Sequence, residues 1–217
     1  MAVTISYDFE AHERSYKRFG EAFGLAPRGS RLSALAPSPI TTARRSPSAQ
    51  PVMTLPSPFD SYRDTVRPDW IDHNGHMNMG YYLVVFDFAT DAFLDFVGLD
   101  RAHRKRQRIT TFSLEGHITY NREVAEGDPL RFTTQLLDFD EKRIHYIHEM
   151  HHADEGYLAA TNELMSLHVS LETRRAAPMS DDVLARLEAI QAAHRALPPT
   201  PYAGRVIGLK AKATTTN

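Results

Sequence analysis

Between Met79 and Val97, apolar side chains recur around most of a helical circumference: Tyr81, Tyr82, Val85, Phe86, Phe88, Ala89, Ala92, Phe93, Phe96 and Val97. The polar residues Asp87, Thr90, Asp91 and Asp95 gather in one narrow stripe. That pattern predicts a helix covered by the rest of the fold rather than laid on its surface, about 30 Å long. Ahead of it, Tyr62–Arg67 reads as a short extended run, ended where Pro68 biases its neighbour away from helix. After residue 110 the period changes from 3.6 to 2. Thr111–Asn121 alternates, with Phe112, Leu114, Ile118 and Tyr120 on one face and Ser113, Glu115, His117, Thr119 and Asn121 on the other. Three more strands are expected over Leu130–Phe139, Arg143–Ala153 and Tyr157–Glu172, separated by turns at Glu126–Pro129, Asp140–Lys142 and Asp154–Gly156. Such short connections make the sheet antiparallel. Asp181–Ala196 reads as a short amphipathic helix. One buried helix followed by four antiparallel strands predicts an α+β fold in which the sheet curls around the helix.

Composition narrows the class. The chain has 217 residues, a formal net charge of −2 and no cysteine, which excludes disulfides, thiolate metal sites and cysteine nucleophiles. A near-neutral balance offers no basic footprint for nucleic acid, and no apolar run reaches the ~20 residues that span a bilayer. A cytoplasmic protein is the simplest expectation. Residues 1–58 stand apart: from Ala22 to Phe59 there is no acidic residue, and seven of the 13 prolines fall between Pro27 and Pro58. This low-complexity stretch is expected to be disordered. Its Arg/Ser-rich character is similar to part of a transit peptide, and the plainer alternative is an upstream extension ahead of a start at Met53. The folded domain is placed at residues 59–175, with a C-terminal helix and tail over 176–217.

Chemistry concentrates in Trp70-Ile-Asp-His-Asn-Gly-His-Met-Asn-Met-Gly-Tyr-Tyr82, the loop that feeds the helix. Amides at a helix start are unpaired and carry the positive end of the dipole, so they hold anions or a developing oxyanion. Asp72 lies just ahead of them, Gly75 permits a tight turn, and Asn78 is a good N-cap. A carboxylate beside helix-terminal amides suits acyl transfer to water. On spacing alone Asp72 also fits a capping carboxylate. The pair His73/His76 has no third ligand spaced with it, and the strand histidines His145, His148, His151 and His152 alternate between faces, so no metal is expected. No Gly-x-Ser-x-Gly elbow, dinucleotide fingerprint or phosphate loop occurs.

The order Asp72-x-x-Gly75-His76-Met77-Asn78, then Tyr82, at the head of a buried helix and four strands, resembles the hotdog-fold thioesterases of the 4-hydroxybenzoyl-CoA thioesterase type over about residues 60–172. The resemblance implies a thioesterase without a cofactor, in which Asp72 attacks the thioester or activates water. The backbone amide of Met79 would hold the carbonyl oxygen, and His76 and Asn78 would shape the loop. It also implies a homodimer or dimer of dimers with acyl-CoA as substrate. A narrower likeness, carried by Phe86-Asp-x-Ala-Thr-Asp91, by Glu115-x-His117-Ile with Arg122-Glu-Val124, and by Leu137-x-x-Asp-Glu-Lys-Arg-Ile-His145, is to the betainyl-CoA thioesterases of bacterial carnitine breakdown. That likeness implies release of glycine betaine and CoA from betainyl-CoA. A trimethylammonium pocket drawn from Trp70, Tyr82, Asp91, Glu115 and His117, with Tyr81, Asp87, Phe112 and Tyr120 near by, is then expected, and Arg122, Lys142 and Arg143 are candidates for the CoA phosphates. Other acyl groups, an acyl-carrier protein, or a non-catalytic acyl-CoA-binding module remain open on sequence.

Overall fold

The computed structural model describes residues 55–209; of the extension expected to be disordered over residues 1–58, residues 1–54 lie outside the described residues. The elements are β1 (Phe59–Thr65), a 3-10 turn (Pro68–Trp70), α1 (Met79–Phe96), α2 (Arg101–Gln107), β2 (Ile109–Tyr120), β3 (Pro129–Phe139), β4 (Arg143–His152), β5 (Leu158–Ser170), β6 (Arg175–Ala176) and α3 (Asp181–His194). The sheet is antiparallel in the order β1-β3-β4-β5-β2, with β6 added beside the end of β5. The α+β expectation holds: α1 lies across one face of a sheet whose two edge strands, β1 and β2, do not meet.

The core forms around α1 in two groups. Phe86 meets Phe132 edge-on at 5.7 Å, and with Val85, Tyr82 and Trp70 it fills the N-terminal half. Phe93 packs on Tyr146 and Phe59, and Val183, Leu187 and Ile190 of α3 close the C-terminal half. Cover is uneven, because Met79 is 67% exposed and Leu83 54% exposed at the helix start. The expected polar stripe is also narrower by one residue. Asp87, Asp91 and Asp95 face solvent, whereas Thr90 is buried against β4.

Two departures have clear causes. The short helix α2 carries too few apolar residues to show a period, and its N-cap does the ordering: Asp100 Oδ1 accepts from the His103 N–H at 2.7 Å. It stops where Arg108 turns left-handed, at φ 52°. In β2 a bulge between Ser113 and Glu115 breaks the alternation. Ser113 therefore shares the inner face with Gly116, Ile118 and Tyr120, while Phe112 turns outward. The strict alternation of Phe112 and Leu114 with Ile118 and Tyr120 does not survive that extra residue.

Polar groups on the inner face tie helix to sheet. His148 of β4 is bonded through Nε2 to Thr90 Oγ1 at 3.0 Å and through Nδ1 to Thr134 Oγ1 at 2.8 Å. Two residues earlier on β4, Tyr146 Oη meets Ser166 Oγ of β5 at 2.9 Å. Asn162, opposite His148 on β5, is the exception: its Oδ1 is buried without a partner among the described residues. A buried acceptor with no donor costs stability that an apolar group of similar size does not. Asn162→Leu is therefore expected to raise the melting temperature by a few degrees, corresponding to about 1 kcal/mol. A lower melting temperature by calorimetry would show that the carboxamide has a stabilising partner.

Candidate active site

The loop before α1 is a small hairpin built on backbone pairing. Asp72 N–H donates to the His76 carbonyl at 2.9 Å, Met77 N–H to Val124 at 2.9 Å, and Asn78 N–H to Trp70 at 2.9 Å. Gly75 sits at φ 81°, which a side chain tolerates poorly, so the turn between Asp72 and His76 depends on glycine. Asp72 Oδ1 accepts from the Asn74 N–H at 2.8 Å, which orients the carboxylate and leaves Oδ2 without a hydrogen bond from the described residues. Asn78 caps α1, its Oδ1 accepting from the Gly80 N–H at 2.9 Å. Met79 is the first helical residue, so its N–H lies outside the intrahelical ladder. The loop thus presents a half-exposed carboxylate and an unused amide at the positive end of an 18-residue helix.

The walls come from neighbouring elements. Tyr120 Oη donates to the Met79 carbonyl at 3.3 Å, joining the end of β2 to the start of α1. Tyr82 meets Tyr120 edge-on at 5.1 Å, and burial pushes the Tyr82 phenol up to about 12, so it stays neutral. His76 Nε2 lies 3.5 Å from Glu123, a residue that the sequence reading did not single out.

Asn78, Met79, Tyr82 and Tyr120 therefore gather at the start of α1, and Asp72 and His76 pair on the loop that leads into it. Other candidates do not join them. Trp70 is 1% exposed, its ring already engaged by Arg67 at 4.7 Å and stacked with Tyr81 at 5.7 Å. Asp91 is three turns further along the helix, about 18 Å from Met79, and faces Arg104 at 3.6 Å. Glu115 and His117 pair in register with Met165 and Glu163, on the sheet face opposite α1. Within one copy these three lie away from Met79, because sequence spacing carries neither helix length nor the side of a bulged strand. Of the phosphate candidates, Arg143 is held by Asp140 and Lys142 by Glu141 at the far β3–β4 turn. Arg122 lies nearer, over Tyr157 at 3.8 Å and 3.7 Å from Glu155.

The strand histidines divide as alternation requires. His148 and His152 point inward, while His145 bonds Glu163 at 2.8 Å and His151 bonds Glu149 at 3.3 Å on the outer face. Among the described residues no group of three His, Asp or Glu side chains is arranged to hold a metal, and no helix is long and apolar enough to cross a membrane.

A curled antiparallel sheet over a central helix, with the carboxylate loop at the helix start, is the arrangement of one protein class. Residues 66–187 match the family model of the thioesterase-like superfamily, and the chain belongs to that superfamily. It is 45% identical over 149 residues to the betainyl-CoA thioesterase of Pseudomonas aeruginosa, which covers 69% of this chain and 94% of that protein. It is 37% identical over 145 residues to the L-carnitine dehydrogenase/betainyl-CoA thioesterase of Rhizobium meliloti, covering 67% of this chain but 29% of that longer protein. Among solved structures, a candidate thioesterase from Pseudomonas putida superposes with a TM-score of 0.63 at 37% identity, covering 72% of this chain and 99% of that one. A Staphylococcus aureus protein solved in complex with CoA superposes with a TM-score of 0.65 at 26% identity, covering 71% and 99%.

Proposed function

We propose that the chain hydrolyses betainyl-CoA to glycine betaine and CoA, with Asp72 as nucleophile or general base and the Met79 amide as oxyanion donor. The observation that carries this reading is one loop that bears the Asp72 carboxylate and leads into the unused amide of Met79, in a chain 45% identical to a betainyl-CoA thioesterase across nearly all of that protein's length. The thioester carbonyl oxygen accepts from Met79 N–H, where the helix dipole favours the negative charge that develops on it. Asp72 Oδ2 either adds to the carbonyl carbon, giving an acyl-aspartate that water then opens, or removes a proton from water as its oxygen adds. In both routes the C–S bond breaks and the CoA thiolate leaves. His76 and Asn78 keep the loop and the amide in place. The quaternary ammonium meets the exposed ring of Tyr120, where cation–π attraction suits a cation that cannot donate a hydrogen bond.

The working unit in this reading is a homodimer. The free edge of β2 and the exposed Met79, Leu83, Leu114 and Tyr120 around it form the surface that a second copy covers.

The test is thiol release from a panel of betainyl-, acetyl-, aromatic and medium-chain acyl-CoA. The chain contains no cysteine, so it adds no thiol background. Betainyl-CoA is expected to be turned over with kcat/KM at least tenfold above every other member. Equal activity across the panel would remove the betaine assignment and keep the hydrolase, and no release from any thioester would remove both.

A further inference from the structure

The segment after α3 crosses the sheet on its outer face. At the end of α3, His194 Nδ1 accepts from the Leu136 N–H of β3 at 2.9 Å. Further on, Thr200 Oγ1 donates to Glu149 of β4 at 3.4 Å, and the Gly204 N–H donates to Glu163 of β5 at 2.8 Å. Glu149 and Glu163 belong to the face opposite α1, where His151 and His145 bond them. Since β3, β4 and β5 are consecutive in the sheet, the segment passes the strands in order. The next strand in that direction is β2, the free edge.

Where it approaches that edge the segment turns apolar. Val206 is 91% exposed, Ile207 is 89% exposed, and Leu209 is fully so. One exposed apolar side chain is ordinary, but three within four positions, just past a residue held by a hydrogen bond, form a surface that calls for cover. None of the three joins either core group, so the β2 of the same copy does not supply that cover. Extended chain advances about 3.3 Å per residue, and paired strands lie about 4.8 Å apart. The span from Arg205 to Leu209 therefore reaches past β2 and onto whatever strand pairs with its edge. Charge agrees with a second β2 as that strand. Arg205 precedes the apolar run and Lys210 and Lys212 follow it in sequence, while the exposed run Ser113–Gly116 of β2 carries Glu115 on the outer face.

We propose that residues 205–209 of each copy clasp the outer face of the partner subunit's β2, with Val206, Ile207 and Leu209 packed across the seam between the two copies. The clasp rests on the dimer reading above and adds to it a second contact between subunits, on the face opposite the Asp72 loop. A two-fold axis makes it reciprocal, one tail crossing in each direction.

The experiment uses the absence of cysteine. Ile207→Cys, labelled with a benzophenone maleimide, carries its photo-crosslinker at position 207 alone. Irradiation of the full-length labelled chain is expected to give a covalent dimer in which peptide mapping joins position 207 to Ile109–Tyr120. A link to β2 within a single chain, or no link to β2, overturns the proposal.

Sedimentation over a dilution series supplies the energetic counterpart. In V206S/I207S/L209S the dissociation constant of the dimer is expected to rise about tenfold or more. The three side chains support no core residue, so the fold survives the substitutions. A dimer whose dissociation constant ignores them fails the clasp alone. A wild-type chain that stays monomeric at every concentration fails the dimer reading, and the clasp with it.

Discussion

Asp72→Asn is expected to lower kcat for betainyl-CoA by about a thousandfold or more, with little change in melting temperature. The substitution keeps the shape of the side chain and an oxygen to accept from Asn74 N–H, so the turn through Gly75 survives. What it removes, in the proposed mechanism, is the charge that attacks the carbonyl or takes a proton from water, a role worth roughly 10²–10⁴-fold for a general base and more for a nucleophile. The carboxylate is half-exposed, so a role confined to capping the turn predicts an equally small stability change but unchanged turnover. Wild-type turnover in this variant would remove Asp72 from the mechanism. Single turnover in ¹⁸O-water tests the covalent route: label in the Asp72 carboxyl marks an acyl-aspartate that water opens at the aspartyl carbon.

The second large effect concerns stability. His148→Leu is expected to cost about 2–4 kcal/mol, lowering the melting temperature by roughly 5–15 °C. The leucine replaces the ring but leaves two buried hydroxyls, on Thr90 of α1 and Thr134 of β3, without their partner. Replacing all three groups with apolar ones (Thr90→Val, Thr134→Val, His148→Leu) should recover most of the loss, since no polar group is then orphaned. A single variant as stable as the wild type would show that the pin contributes nothing.

His148 also sets an acid dependence. Desolvation holds its folded-state value near 3, well below the ordinary value of 6.5 for histidine. Between those values the unfolded chain binds a proton that the folded one refuses, so stability falls as pH drops from about 6.5 toward 3. The slope approaches about 1.4 kcal/mol per pH unit from this residue. His168 and His194, also lowered mainly by desolvation, act in the same direction. In the triple apolar variant the pH slope from denaturant unfolding should be shallower by about one proton.

Much of this protein was legible in its residues because local rules decided it. The span of α1 follows from apolar residues spaced around a helix and from an Asn78 cap, and the structure starts it at Met79. Strand ends fell within a few residues of expectation because turn residues punctuate them, as at Asp140–Lys142. The loop Trp70–Asn78 could be recognised as the site because a carboxylate, a glycine turn and a cap lie within nine positions of chain. Its chemistry needs no distant residue to be visible.

What sequence alone missed depends on where the chain returns in space. The bulge at Leu114 reversed the faces of Ile109–Ser113 relative to Gly116–Tyr120, an extra residue that alternation cannot announce. Thr90 looked like part of the polar stripe until β4 brought His148 against it, 58 positions away. Asp91, Glu115 and His117 had the right chemical types for a cationic acyl group, yet helix rise and sheet register carry them away from Met79. Tyr120 joins that residue through a contact across 41 positions. Composition, period and capping are properties of neighbours along the chain, and they determined the elements and the candidate loop. Facing, depth and charge pairing arise between segments far apart in sequence, so only the packed structure decided which side chains gather at the start of α1.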